Sequence, residues 1–157
     1  MIFIYNCFGG SHSSITAAAI HLGLLPDYRT ATKDELLKVP YYDAQVGKDH
    51  GRIRFLGCDE EGREVYIVGK KNLGANYEKI MRILVDTARG RQDDIALIDT
   101  MPYVNIFMML GGYLSRRLGF SRMGRAIVIF GTRCSYHRFV QLVKVVKAAS
   151  FADRAEE

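Results

Sequence analysis

The chain of 157 residues predicts an α/β domain, a three-layer α/β/α arrangement of the Rossmann-like or P-loop-like kind with a mostly parallel sheet. Its short strands are apolar without interruption, as at residues 95–98 and 126–130, which is typical of strands covered on both faces. Segments with the apolar spacing of helices lie between the strands. This alternation indicates parallel neighbours in one domain, residues 1–152, with a frayed tail at 153–157.

The first half begins with an apolar strand at residues 1–5, followed by a polar turn and an alanine-rich helix. The next loop contains a short helix at residues 33–37, opened by Thr32 as a capping residue. Residues 51–72 have the pattern of a β-hairpin, because two strand-like runs flank the acidic, glycine-containing turn Asp59–Gly62. We expect this hairpin insertion to form an antiparallel edge of the sheet or a lobe beside it.

The second half alternates helices and strands, each indicated by its apolar spacing. Pro102 suits the first turn of a helix, and Gly119 suits the end of one. The elements expected here are a helix at 76–89, a strand at 95–98, a helix at 102–118, a strand at 126–130 and a helix at 136–149.

The composition is typical of a soluble globular protein, with 48% hydrophobic and 25% charged residues. The longest apolar segment, residues 101–114, contains Asn105 and two glycines and is too short to span a membrane. The apolar run at the start is too short for a signal peptide. Three cysteines without a CxxC pair suit a reducing compartment. We therefore expect a cytoplasmic protein without a membrane span.

The net charge of +5 is concentrated in the second half of the chain. Residues 101–152 contain no acidic residue. Such a stretch favours an anionic partner, whether a phosphate ligand, a nucleic acid or a lipid surface, although a solvated basic face is an equal alternative. Its cations are Arg116, Arg117, Arg122, Arg125, Arg133, Arg138, Lys144 and Lys147.

The turn between the first strand and the first helix is the leading candidate for a binding site. A buried strand that breaks at two glycines and restarts as a helix leaves backbone N–H groups that bind anions. Serine hydroxyls add donors, and His12 can transfer a proton near neutral pH. The ligand-binding candidates in this turn are Gly9, Gly10, Ser11, Ser13 and Ser14.

Two further strand ends are expected to meet this turn, because ligands bind at the carboxyl ends of parallel strands. Asp99 and Thr100 follow one predicted strand, and Thr132 and Arg133 follow another. Arg133 would hold a phosphate or carboxylate with two hydrogen bonds. Asp99 would hold a metal through water or orient His12, which makes these two residues the catalytic candidates.

Known phosphate and nucleotide motifs fit this turn only in part. A Walker A loop requires a lysine before its Ser or Thr, and here Gly10 is followed by Ser-His-Ser. The GxGxxG fingerprint is missing, and Cys7 lacks the arginine of a cysteine phosphatase loop. No Cys or His pair has zinc-finger spacing, so no metal site is assigned. The cofactor stays undetermined, with Mg²⁺ expected if the ligand is a nucleotide.

Two other regions carry predictions. Asp43, Asp49 and His50 would form a lid over the pocket, with a solvated turn as the alternative. The helix near residues 103–113 is apolar almost all round, which favours a homodimer face where Gly111 and Gly112 permit close approach. The two arginines that follow, Arg116 and Arg117, favour a membrane-surface role as a further alternative.

Three strings of the sequence resemble one family. They are YNCFGGSHSSITAAAIHLGLLP, GCDEEGREVYIVGKKN and LIDTMPYVNIFMMLGGYLSRRLG. The family is an uncharacterised one of small proteins of about this length, found mostly in anaerobic spore-forming bacteria, and the likeness covers almost the whole chain. The resemblance implies a stand-alone cytoplasmic protein and no particular activity.

We therefore expect a protein that binds a small anion, phosphate or nucleotide, at the turn and at Arg133. Such a site suits a phosphoryl-transfer or hydrolytic enzyme, and the sequence leaves open whether chemistry follows binding. The alternative is a non-enzymatic dimeric regulatory or partner-binding module. A further alternative, nucleic-acid binding, depends on the basic stretch 116–147 alone, without a recognised motif.

Overall fold

The computed structural model describes residues 1–44, 51–71, 76–89, 95–117 and 121–155. These residues form four strands and five α-helices, with a 3₁₀ turn at Met101–Tyr103. The strands are β1 (Ile2–Cys7), β2 (Arg54–Cys58), β3 (Glu64–Gly69) and β4 (Ile95–Asp99). The helices are α1 (Ser13–His21), α2 (Lys33–Lys38), α3 (Asn76–Arg89), α4 (Ile106–Arg117) and α5 (Ser121–Ala155).

The four strands form one sheet in the order β2-β3-β1-β4. β1 lies inside the sheet and pairs in parallel with both β3 and β4. The register places Cys7 beside Gly69 and Asn6 beside Asp99, so three parallel strands end at the same edge. The predicted α/β class with a mostly parallel sheet is confirmed.

The predicted hairpin is present, because β2 and β3 pair antiparallel. Of the two hairpin strands, only β2 occupies an edge of the sheet. β3 is an internal strand between β2 and β1, and Val65 and Ile67 on it are fully buried. Both strands of the hairpin therefore belong to the sheet, and the carboxyl end of β3 lies at the same edge as those of β1 and β4.

Apolar side chains on the two faces of β1 belong to different clusters, because successive residues of a strand point to opposite faces. Phe3 and Tyr5 pack in a cluster with α1 and α5. Ile2 and Ile4 pack in a second cluster with Tyr77 and Met81 of α3. Every residue of α1 is buried, and its alanines let it pack closely between the sheet and α5.

The predicted strand at 126–130 is wrong, since these residues lie within α5. A short apolar run fits a buried strand or a helix equally well by periodicity. The burial pattern is helical, because Ile129, Thr132 and Tyr136 face the interior whereas Phe130 is half-exposed. The predicted helix at 136–149 is the second half of this long helix. Thr132 and Arg133 therefore do not follow a strand.

The predicted helix at 102–118 is divided into the 3₁₀ turn and α4. Pro102 lies in the 3₁₀ turn, and Asn105 begins α4 by accepting a hydrogen bond from Met108 N through Oδ1 (3.0 Å). The amide of Asn105 also donates to Gly131 O (2.7 Å) and Ser135 Oγ (2.9 Å), which ties the start of α4 to α5.

Glycines bring α4 and α5 into close contact. A Cβ atom on Gly111 would lie 2.7 Å from Gly124 O, and one on Gly131 would lie 2.7 Å from Met108 N. Gly111 was predicted to permit close approach of a second copy, but its close neighbour is α5 of the same chain. A Cβ on Gly112 would meet nothing within 4 Å. In the part of the chain described, no helix has the length and apolarity of a membrane span.

Candidate functional site

The segments that follow β1, β3 and β4 meet at the carboxyl edge of the sheet. Lys70 N donates to Cys7 O (2.8 Å), and Lys71 N donates to Phe8 O (2.8 Å). On the other side of β1, Thr100 N donates to Asn6 O (2.9 Å). These backbone bonds continue the parallel pairing past the strand ends and fix the turn after β1 between two neighbours.

The glycines of the turn have conformational and steric roles. Gly10 has a φ of 65°, a left-handed conformation that glycine adopts without strain. A Cβ on Gly69 of β3 would lie 2.8 Å from the carbonyl carbon of Gly9, so only glycine lets the turn approach β3 this closely. Gly10 N donates to Cys7 Sγ (3.0 Å), which closes the turn on the strand that it follows.

The start of α1 is buried and has no side-chain cap. His12 occupies the N-cap position without accepting a hydrogen bond from the first turn. Ser13 and Ser14 are at most 2% exposed. Ser13 Oγ lies 3.0 Å from Thr100 Oγ1, which also donates to Asn6 O, and Ser14 Oγ lies 3.2 Å from Cys7 Sγ. A buried helix start of this kind has N–H groups that water does not readily solvate.

His12 is paired with Asp43. Its Nε2 lies 3.1 Å from Asp43 Oδ1, while Arg125 Nε of α5 donates to Asp43 Oδ2 (2.5 Å). Burial by itself would raise the pKa of Asp43, but the hydrogen bonds from His12 and Arg125 outweigh burial and lower it. Asp43 is therefore ionised at neutral pH and orients the His12 imidazole.

The segment that presents Asp43 has an unusual backbone. Tyr41 and Asp43 have φ angles of 66° and 52°, a left-handed conformation that costs energy for residues with a Cβ. Tyr42 between them is buried, and its hydroxyl lies 3.0 Å from Thr132 Oγ1 of α5. Asp43 N donates to Ser11 O (3.1 Å). These contacts hold the segment against both the turn and α5.

Asp99 is paired with a lysine that the sequence analysis did not assign to the site. Lys70 Nζ donates to Asp99 Oδ2 (2.6 Å), and Asp99 Oδ1 accepts from Met101 N (3.0 Å). Asp99 was expected to orient His12 or hold a metal. In the structure Asp43 orients His12, and Asp99 fixes the Lys70 ammonium group at the carboxyl edge of the sheet.

Two buried polar atoms near the same edge have no hydrogen-bond partner among the residues that the structure describes. They are Asn6 Oδ1 and Tyr77 OH, on residues that are 3% and 4% exposed. The side-chain amide nitrogen of Asn6 donates to Ile98 O (3.0 Å) and fixes the orientation of the side chain. The amide oxygen Oδ1 is therefore the atom without a partner among the described residues. Burial raises the pKa of Tyr77, and the charge of nearby Asp99 raises it further. Unpaired buried polar atoms are costly, and they mark places where water or a ligand group binds.

The structure brings most of the predicted site residues together. Thr132 and Arg133 of α5 are exceptions, since Thr132 is buried with its hydroxyl on Tyr42 and Arg133 is exposed. The predicted lid residues Asp49 and His50 lie outside the described residues, whereas Asp43 lies in the site. The predicted site residues that do lie around the turn are Gly9, Gly10, Ser11, His12, Ser13, Ser14, Asp99 and Thr100.

Sequence reasoning missed four residues of the site. Lys70 directly follows an apolar strand, which is a usable signal once that strand is counted among the parallel ones. Asn6 is a polar residue at the end of an otherwise apolar strand, which is a second signal. Tyr77 and Arg125 lie on helices far along the chain and carry no such signal. Among the described residues, no cluster of three or more His, Cys, Asp or Glu side chains could hold a metal ion.

Comparison with known proteins identifies the family. The chain belongs to the family described as "Protein of unknown function (DUF3189)", whose model matches residues 2–148. The expected resemblance to an uncharacterised family over almost the whole chain is thus confirmed. Neither a search of curated proteins nor one of solved structures found a match.

Proposed function

We propose that this member of the DUF3189 family binds a small phosphorylated ligand, a phosphate ester or a nucleotide, at the carboxyl edge of its parallel sheet. The observation that carries the proposal is the buried start of α1, which has no side-chain cap and directly follows the central strand β1. In this proposal the fold is P-loop-like with three layers, because the chain crosses from β3 over β1 to β4 and leaves a crevice at the end of β1.

The start of α1 supports an anion rather than a neutral ligand. Its first N–H groups and the aligned peptide dipoles together favour negative charge. Ser13 and Ser14 are too buried for full hydration of this helix end, so a bound oxyanion would satisfy donors that water reaches poorly. The unpaired atoms Asn6 Oδ1 and Tyr77 OH support a ligand or water group beside the anion.

Cations around the turn support the same ligand class. Lys70 Nζ lies at the edge of the sheet on Asp99, which is nearly half-exposed, so an incoming phosphate would compete for this ammonium group. Arg125 donates to Asp43, which also contacts His12 of the turn. Arg133, the cation predicted from the sequence, is on the exposed side of α5, so the proposed cation contact to the ligand is that of Lys70.

His12 and Asp43 support proton transfer at this site. An ionised Asp43 favours the tautomer in which His12 Nε2 carries the proton, and the lone pair is then on Nδ1. That nitrogen would accept a proton from a water or hydroxyl group attacking the bound phosphate, which is the chemistry of a hydrolase or phosphotransferase. If binding is not followed by turnover, the protein is instead a non-enzymatic regulatory module that senses the anion.

Calorimetric titration with inorganic phosphate, AMP and ATP, with and without Mg²⁺, tests the proposal. We expect Lys70→Ala to lower the affinity for at least one of these anions about tenfold, the effect of losing one charge-assisted contact. Lys144→Ala, which removes an exposed cation from α5, is the matched control and should leave the affinity unchanged. Equal affinity in both variants would contradict the assigned site, and phosphate release would distinguish an enzyme from a module.

A further inference from the structure

The outer face of α4 is an apolar stripe exposed to solvent. Ile106, Met109, Leu110 and Tyr113 are between 49% and 69% exposed. They are spaced i, i+3, i+4 and i+7, so they lie along one side of the helix. Single exposed apolar residues are common, but a contiguous stripe of this kind marks an interaction surface.

The stripe is on the outside because α5 occupies the opposite side of α4. Gly111 and Met108 face α5, and Met108 is buried. Beside the stripe, Phe107 of α4 contacts Phe130 of α5 edge to face, with ring centroids 5.2 Å apart, and both rings remain about half-exposed. The apolar surface therefore continues from α4 onto the neighbouring helix.

The charge around the stripe indicates what covers it. Residues 101–152, which include α4 and α5 as far as residue 152, contain eight cations and no acidic residue. Arg116 and Arg117 occupy the last turn of α4, directly after the stripe, and Arg122 is exposed at the start of α5. An apolar helix that ends at two arginines, in a stretch of sequence without carboxylates, is complementary to an apolar surface that carries negative charge.

A second copy of the chain is a poor occupant of this face. Parallel α4 helices would place Arg116 and Arg117 of both copies side by side. Antiparallel helices would place these arginines at the partner's helix start, which is also positive because of the peptide dipoles. No carboxylate in residues 101–152 offsets the repulsion in either arrangement.

We propose that the outer face of α4 docks on an anionic lipid bilayer. The stripe lies along one side of α4, which can insert its apolar side chains between headgroups while the arginines contact lipid phosphates. The chain would lie on the membrane surface, with α4 parallel to it. This proposal is independent of the phosphate site, because the residues of the stripe and those of the turn are different.

Vesicle co-sedimentation of the full chain tests the proposal. We compare vesicles of phosphatidylcholine alone with vesicles that also contain phosphatidylglycerol. We expect binding to the anionic vesicles only, weakened by salt. Met109→Glu and Leu110→Glu should each lower the partition coefficient about tenfold or more, since each places a carboxylate in the headgroup region. Both positions are exposed, so we expect the fold to tolerate the two substitutions. Circular dichroism of each variant checks that it is folded.

Val145→Glu is the matched control, because Val145 is an exposed apolar residue of α5 outside the stripe. The Val145→Glu variant should have the same partition coefficient for anionic vesicles as the native chain. Equal losses in Val145→Glu and Leu110→Glu, or no binding to anionic vesicles, would overturn the proposal. A dimer in sedimentation equilibrium that Leu110→Glu dissociates, without vesicle binding, would assign the face to a second copy instead.

Discussion

The imidazole of His12 and the carboxylate of Asp43 lie 3.1 Å apart, although 31 residues separate them in the chain. The contact joins the start of the buried helix α1 to a segment whose backbone is left-handed at Asp43 itself. Because Arg125 binds the second oxygen of the same carboxylate, Asp43 connects the turn after β1 with the long helix α5. The pair is thus part of the framework as well as a candidate for proton transfer.

We predict that Asp43→Ala lowers the free energy of unfolding by about 1–3 kcal/mol, because it removes a buried acceptor from two donors. Urea denaturation measures the loss. Asp34→Ala, at an exposed position of α2, is the control and should change stability by less than about 0.5 kcal/mol. Similar values for the two variants would show that the Asp43 contacts contribute little.

We predict that the protein loses stability as the pH falls from 6.5 towards 4. His21 is buried against Tyr5 (2.7 Å) and Asp59 (3.2 Å), and burial lowers its pKa to about 4. Below the unfolded pKa of about 6.5 the unfolded chain binds a proton that the folded chain does not, so up to about 3 kcal/mol is lost across this interval. Urea midpoints across this pH range measure the loss.

The variant His21→Gln serves as the control for this pH dependence. It keeps a polar side chain but does not titrate, so its stability should vary less between pH 6.5 and 4. A further loss is expected at lower pH, because hydrogen bonds from Arg63 and His21 outweigh burial and hold the pKa of Asp59 at about 2. Identical pH profiles for the native chain and His21→Gln would contradict the assignment to His21.

Neighbouring glycines of α4 should respond to the same substitution with opposite signs. Gly111→Ala would place its Cβ 2.6 Å from Val128 Cγ2 and 2.7 Å from Gly124 O, so we predict a destabilisation of about 1–3 kcal/mol. Gly112→Ala points into open space and should stabilise the helix by up to about 1 kcal/mol. Thermal denaturation of both variants measures this difference, and equal shifts would contradict the close packing of α4 on α5.

Much of the fold and part of the site could be predicted from the sequence. The strand, glycine turn and helix at residues 2–21 could be found because polarity and helix propensity change together there. The partner of His12 could not be found, because the approach of Asp43 depends on the left-handed backbone at Tyr41 and Asp43, which no local pattern indicates. Local patterns likewise do not show which of two carboxylates reaches a given imidazole.

The prediction for Arg133 depended on the strand expected at 126–130. Five consecutive apolar residues fit the pattern of a buried strand, and the local sequence does not distinguish it from a helix. Packing against α4 and the core makes this segment helical. Gly124 and Gly131, seven residues apart on the α4 side of α5, were the signal for close helix packing. Lys70 was overlooked for a related reason, because β3 was placed in a hairpin insertion rather than beside β1.

The most direct test of the phosphate site is a ¹⁵N–¹H correlation spectrum of the native chain during titration with inorganic phosphate and with ATP. We predict the largest and saturable shifts at the backbone amides of residues 9–14, with smaller shifts at Lys70 and Lys71. The start of α2, residues 33–35, is the internal control, because its N-cap Thr32 already accepts a bond from Glu35 N. Shifts confined to the basic surface of α5, with residues 9–14 unchanged, would contradict anion binding at the start of α1.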